Sequence, residues 1–143
     1  MVSVFEGSFR PEPIETVPLA DILERIRQGT YRPQVERLRQ LLQAKCKAVY
    51  ASVKRSSIAF TPAGVFQRRA NAALVKASGL LNFDFDGVAD CAEAKAKLSS
   101  DPWIVYAFDS PSGHGLKVAV WASGIIDDTT YKHAWSKVLT YFQ

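Results

Sequence analysis

The amino-acid sequence predicts an α+β fold: a small mixed, largely antiparallel sheet with helices packed on it. Three observations carry that reading. Five segments repeat apolar residues at helical spacing, and five short runs are rich in β-branched and aromatic residues. Two of those runs, Trp103–Asp109 and Leu116–Ala122, are separated by only the six residues from Ser110 to Gly115, too short a link for a parallel crossover. The 143 residues are 48% hydrophobic and 22% charged, so one domain, 1–143, can bury its own core without a disulfide or metal staple.

Val2 and Val4 open a short strand, and a Pro-punctuated connection runs from it to about residue 16. Pro18 starts a helix with Leu19, Ile22, Leu23 and Ile26 on one face and Gly29 past its end. A second helix is predicted from near Pro33, with Val35, Leu38, Leu41, Leu42, Cys46 and Val49 in helical phase. Ser56–Gly64 reads as a strand closed by a Pro-Ala-Gly turn, and Gln67–Gly79 as a short helix ended by its glycine. In the strand Leu80–Asp86, Leu81, Phe83 and Phe85 point one way while Asn82, Asp84 and Asp86 point the other. Asp90 and Glu93 form a capping pair for a helix through Leu98. Asp128 is expected to cap a last helix with Tyr131, Trp135, Val138, Leu139 and Phe142 inward, and Trp103, Trp121 and Trp135 are assigned to the core. The last pattern reaches Gln143 with no Gly or Pro to stop it, so a longer natural chain is expected.

No apolar run approaches the roughly 18 residues of a membrane span, and the N-terminus lacks a signal-peptide pattern. A soluble, cytoplasmic domain without membrane contact is expected. Cys46 and Cys91 have no His at metal-ligand spacing, so a structural zinc site is excluded and both read as small apolar residues. The net charge of +4 conceals an asymmetry: 13 Lys/Arg against 6 Asp/Glu through Gly79, then 5 against 8. From Arg37 to Lys76 there are nine basic residues and no acid. Such a run is either a solvated face or a surface for a polyanion.

Two segments are candidates for chemistry. Asp84 and Asp86, at i and i+2 on a strand, project side by side with Cα atoms about 6–7 Å apart, a spacing that lets both reach one divalent cation or a pair. The bland alternative is a solvated strand end. Ser110-Pro111-Ser112-Gly113-His114-Gly115 and Lys117 offer backbone N–H groups, a hydroxyl, an imidazole and an ammonium to a triphosphate; the alternative is a plain hairpin turn.

The stretches VSVFEG, AFTPAGVFQRR, SGLLNFDFDG and FDSPSGHGLKVAVW resemble the VirE N-terminal family. That family stands at the front of replication and mobile-element proteins, close to the archaeo-eukaryotic primase-polymerase superfamily. The resemblance implies a primase-polymerase-like fold with an incomplete RRM-like core, in the N-terminal part of a replication protein carrying a helicase or ATPase domain downstream. It implies nucleotidyl transfer to a nucleic-acid 3′-hydroxyl, with Asp84, Asp86 and His114 catalytic and Mg²⁺ or Mn²⁺ on Asp84 and Asp86. Ser112, Gly113, His114 and Lys117 would bind the nucleoside triphosphate, and Lys54, Arg55, Arg68 and Arg69 single-stranded or primed DNA. The superfamily's third carboxylate has no counterpart, since Asp109, Asp127 and Asp128 fall elsewhere.

Two other functions stay open. One is a non-catalytic DNA-binding module, which the basic run supports equally. The other is a haloacid-dehalogenase-type phosphatase, because LLNFDFDGV also resembles that superfamily's first strand, with Asp84 as nucleophile, Asp86 as acid/base and Asp127-Asp128 as metal ligands. The short hairpin disfavours the phosphatase, which needs parallel strands.

Overall fold

The alternation in Leu80–Asp86 is the element from which the architecture follows, because it gives one sheet an apolar and a polar face. The computed structural model describes residues 1–143. Its elements run β1 (Val2–Glu6), β2 (Glu15–Val17), α1 (Leu19–Arg27), α2 (Arg32–Gln43), α3 (Lys47–Ser56), β3 (Ile58–Thr61), β4 (Gly64–Phe66), β5 (Leu74–Ala77), β6 (Leu80–Asp86), α4 (Cys91–Leu98), β7 (Ile104–Asp109), β8 (Gly115–Trp121) and α5 (Asp128–Phe142). The fold is α+β, as expected, but the strands form three small sheets: β2-β1-β3, β4-β5 and β6-β8-β7. Every pairing is antiparallel, so the sheet is neither single nor mixed. No helix is long and apolar enough to cross a membrane.

In the first half, Val2 and Val4 of the central strand are buried against Ile22 of α1, with Leu19, Ile26, Ile58 and Phe60 around them. Helix α1 ends as its sequence requires. Gly29 takes φ 78°, the Thr30 N–H reaches the Arg25 carbonyl and the Gly29 N–H the Ile26 carbonyl, satisfying the last turn. Helix α2 ends the same way with a lysine in glycine's place. Lys45 has φ 56°, and the Cys46 and Lys45 N–H groups return to Leu41 and Leu42. The single helix expected beyond Pro33 is therefore two, because the apolar phase continues across a stop that carries no Gly or Pro to announce it.

The helix expected at Gln67–Gly79 is also corrected. Asn71–Ala73 makes one 3₁₀ turn, and Leu74–Ala77 pairs as a strand with β4. The unpaired backbone of β4 needs a partner, and that tertiary demand overrides the helical propensity of the alanines. Ser3, fully buried, ties this hairpin to β1: its hydroxyl accepts from the Phe66 N–H at 2.9 Å and donates to the Phe66 carbonyl at 3.3 Å.

In the second half, Leu81, Phe83, Val120 and Ile125 form a core covered by Tyr131, Trp135, Val138, Leu139 and Phe142 of α5, as the helical spacing predicts. The cap of α5 is Asp127 rather than Asp128, in a reciprocal capping box with Thr130. Asp90 caps α4 through the Glu93 N–H at 2.9 Å. Of the three tryptophans only Trp135 joins the core; Trp103 and Trp121 are 55% and 48% exposed and stack on each other.

Candidate nucleic-acid interface

Because α5 takes the apolar face of β6-β8-β7, the other face is free to meet the first half. A cleft of about 830 Å³ lies between them. Its near wall is basic. Arg32 and Arg39 are seven residues apart on α2, two helical turns on one face. Lys54 and Arg55 come from the last turn of α3, and Arg69 from the β4–β5 loop. None of these five has a carboxylate within 4 Å, although Glu36 also lines this wall. Arg69 is held by the Gly7 carbonyl at 3.0 Å and lies over the Phe5 ring. The Arg39 Nε reaches across the cleft to donate to the Pro111 carbonyl at 3.3 Å.

The far wall is the polar face of the sheet. Register places Asp84 opposite Lys117 and Lys117 opposite Phe108; in the next row Asn82 faces Ala119 and Ala119 faces Tyr106. Both lysines here are neutralised: Lys117 Nζ bonds Asp84 Oδ1 at 2.9 Å, and Lys95 Nζ of α4 bonds Asp109 at 2.9 Å. The Tyr106 hydroxyl donates to Asn82 Oδ1 at 3.1 Å. Burial pushes that hydroxyl well above its ordinary range, and the Asp84 charge adds to the shift.

The hairpin turn is organised from within. The Ser110 and Ser112 hydroxyls lie 2.9 Å apart, and the His114 N–H donates to Ser112 Oγ at 3.3 Å, leaving His114 exposed. Gly115 is obligatory at the turn's end, since a Cβ there would stand 2.4 Å from the Phe85 carbonyl oxygen.

The sequence expectations for the site divide accordingly. Lys54, Arg55, Arg69 and Lys117 come together in one cleft, whereas Arg68 is exposed outside its lining. Asp84 and Asp86 share the exposed face as expected, with Asp84 at the cleft's edge beside Lys117. No group of three or more His, Cys, Asp or Glu comes together around them. The Asp84 carboxylate is already met by the Lys117 ammonium and, at 3.4 Å, by the Asn82 amide. Ser112 and Lys117, expected to hold a triphosphate, are likewise engaged inside the protein.

Sequence reasoning missed Arg32, Lys95, Tyr106 and Phe108, and read Arg39 only as part of the basic run. The i, i+7 spacing of Arg32 and Arg39 was a usable signal; nothing local marks Lys95, which arrives from a separate helix.

Residues 52–143 match the family described as BT4734-like, N-terminal domain. No curated protein and no solved structure matches the chain. The matching family is not the VirE N-terminal family that the motifs resemble, so that assignment, and the primase-polymerase membership drawn from it, are corrected. The match spans more than half of the sequence, and on that basis the chain belongs to the BT4734-like N-terminal domain family.

Proposed function

We propose that this domain binds nucleic acid in the cleft between its two halves, through phosphate contacts from Arg32, Arg39, Lys54, Arg55 and Arg69. The observation that carries the reading is the convergence of five cations, from two helices and a hairpin loop, with no carboxylate partner among them. Like charges gathered at a concave surface repel one another, and a chain of phosphates relieves that repulsion while releasing its own counterions. Binding of this kind is insensitive to base sequence and falls steeply with salt. A cytoplasmic setting belongs to the same reading.

Fluorescence anisotropy of a labelled oligonucleotide across a salt series in EDTA tests it. Arg39→Ala with Arg55→Ala should flatten the slope of log K against log salt by about 1.4, at roughly 0.7 for each single-strand phosphate no longer neutralised. Both side chains are exposed, so the fold should survive. An unchanged slope would place the nucleic acid elsewhere.

A second reading, nucleotidyl transfer with Mg²⁺ or Mn²⁺ at Asp84 and Asp86 and a nucleoside triphosphate at the 110–117 hairpin, is favoured by the shared exposed face of the two carboxylates. It requires a third carboxylate from outside these residues. Incorporation of labelled nucleotide, lost in Asp86→Asn, is its test.

A further inference from the structure

We infer that the far wall of the cleft is a base-stacking subsite, so that the ligand is single-stranded, with phosphates along α2 and α3 and a base on Phe108, which Tyr106 backs. This rests on the nucleic-acid reading above and adds strandedness and orientation to it.

The two walls differ in charge. The near wall holds the cleft's five cations that lack a carboxylate partner; the far wall's Lys95 and Lys117 are each tied to an aspartate at 2.9 Å. A phosphate chain is drawn to the first and gains little from the second. What the second offers is aromatic surface. The Phe108 and Tyr106 rings lie 5.2 Å apart with 27° between their planes, and Phe60 of β3 approaches Tyr106 at 6.4 Å. The core of this sheet built from Leu81, Phe83 and Val120 lies on the opposite face against α5, and of the cleft rings Tyr106 is itself buried, at 8% exposure, so that it backs Phe108. Phe108 is only half-buried, and its ring is the one open to a base.

Cationic grooves edged by aromatic rings bind single strands, because every base has a face to stack and only an unpaired base can reach the ring. Size agrees: a cleft of about 830 Å³ is that of a small-ligand pocket, room for a few nucleotides and far too little for a duplex.

The test compares three fluorescein-labelled ligands of equal length on the full chain: oligo-dT, an abasic strand with the same phosphates, and a duplex. Oligo-dT should bind at least tenfold more tightly than the abasic strand or the duplex. Phe108→Leu keeps an apolar side chain of similar bulk but removes the ring. It should weaken oligo-dT roughly tenfold or more while leaving the abasic strand unchanged. A 2-aminopurine placed within the strand should be quenched on binding to wild type and less so by the variant. Equal binding of abasic strand and oligo-dT, equal loss of both in Phe108→Leu, or a duplex that binds as tightly as the single strand would overturn the stacking subsite alone. Failure of all three ligands to bind wild type would overturn the nucleic-acid reading and this inference with it.

Discussion

Asp84→Asn distinguishes a charge partner from a metal ligand by the sign of its effect. Asp84 Oδ1 lies 2.9 Å from Lys117 Nζ, with the two side chains 54% and 34% exposed. An ion pair this open to water stabilises a fold by about 0–1 kcal/mol, and asparagine keeps the shape, so the variant should fold. Its effect on binding is larger. The substitution removes a negative charge at the cleft's edge and releases one lysine toward the ligand. One more neutralised phosphate on a single strand steepens the salt slope by about 0.7, which at 0.1 M salt is roughly a fivefold gain in affinity. Anisotropy with oligo-dT in EDTA measures both quantities. Adding Lys117→Met should cancel the gain, because the released ammonium is its source. Weaker binding in Asp84→Asn, or a gain that survives Lys117→Met, would refute the argument. Were Asp84 instead a ligand for a metal that holds the nucleic acid, the substitution would weaken binding, and only with Mn²⁺ present.

Two further substitutions test the fold. Lys45→Gly should raise stability by about 0.5–1 kcal/mol, read as an upward shift in thermal midpoint, since glycine removes the left-handed strain of φ 56° at somewhat smaller cost in chain entropy; no gain would mean that the α2 stop is not strained. Trp135→Phe should lower stability by about 1–3 kcal/mol in urea unfolding, because the Trp135 indole donates to the Asn82 carbonyl on the free side of β6 at 3.0 Å; a neutral result would show that water satisfies that edge.

How far the sequence could be read depended on whether the signal was local. The D-x-x-E cap at Asp90, the Gly29 stop and the alternation in Leu80–Asp86 are complete within a few residues, and each matches the structure. Lys45 breaks a helix with a residue type that seldom does so, so periodicity ran straight through it. Leu74–Ala77 is a strand only because β4 lies beside it. The site shows the same division. The acid-free run from Arg37 to Lys76 is visible in the sequence and supplies four of the five near-wall cations, Arg39, Lys54, Arg55 and Arg69. The commitment of Lys117 to Asp84, 33 residues away, depends on the register of β6 with β8. Taken singly, Asp84 suggests a metal ligand and Lys117 a phosphate donor; the register adds that the two bond each other at 2.9 Å.

On the proposed reading, the same pairing would let a basic cleft orient its ligand. Had Lys95 and Lys117 been free, the far wall too would attract phosphates, and the preference for one orientation would be weaker. With Asp84 and Asp109 neutralising them, the gradient of charge runs from the β7–β8 wall toward α2 and α3. The width of the cleft is set by contacts that do not use those charges: Phe60 against Tyr106 deep in the cleft, and the Arg39 bond to the Pro111 carbonyl across it. The Arg39 bond is exposed and, at about 0.5–1.5 kcal/mol, costs less than a charge-assisted bond to phosphate returns. On the proposed reading, Arg39 would therefore exchange the carbonyl for a ligand phosphate, leaving the Phe60–Tyr106 contact to hold the walls.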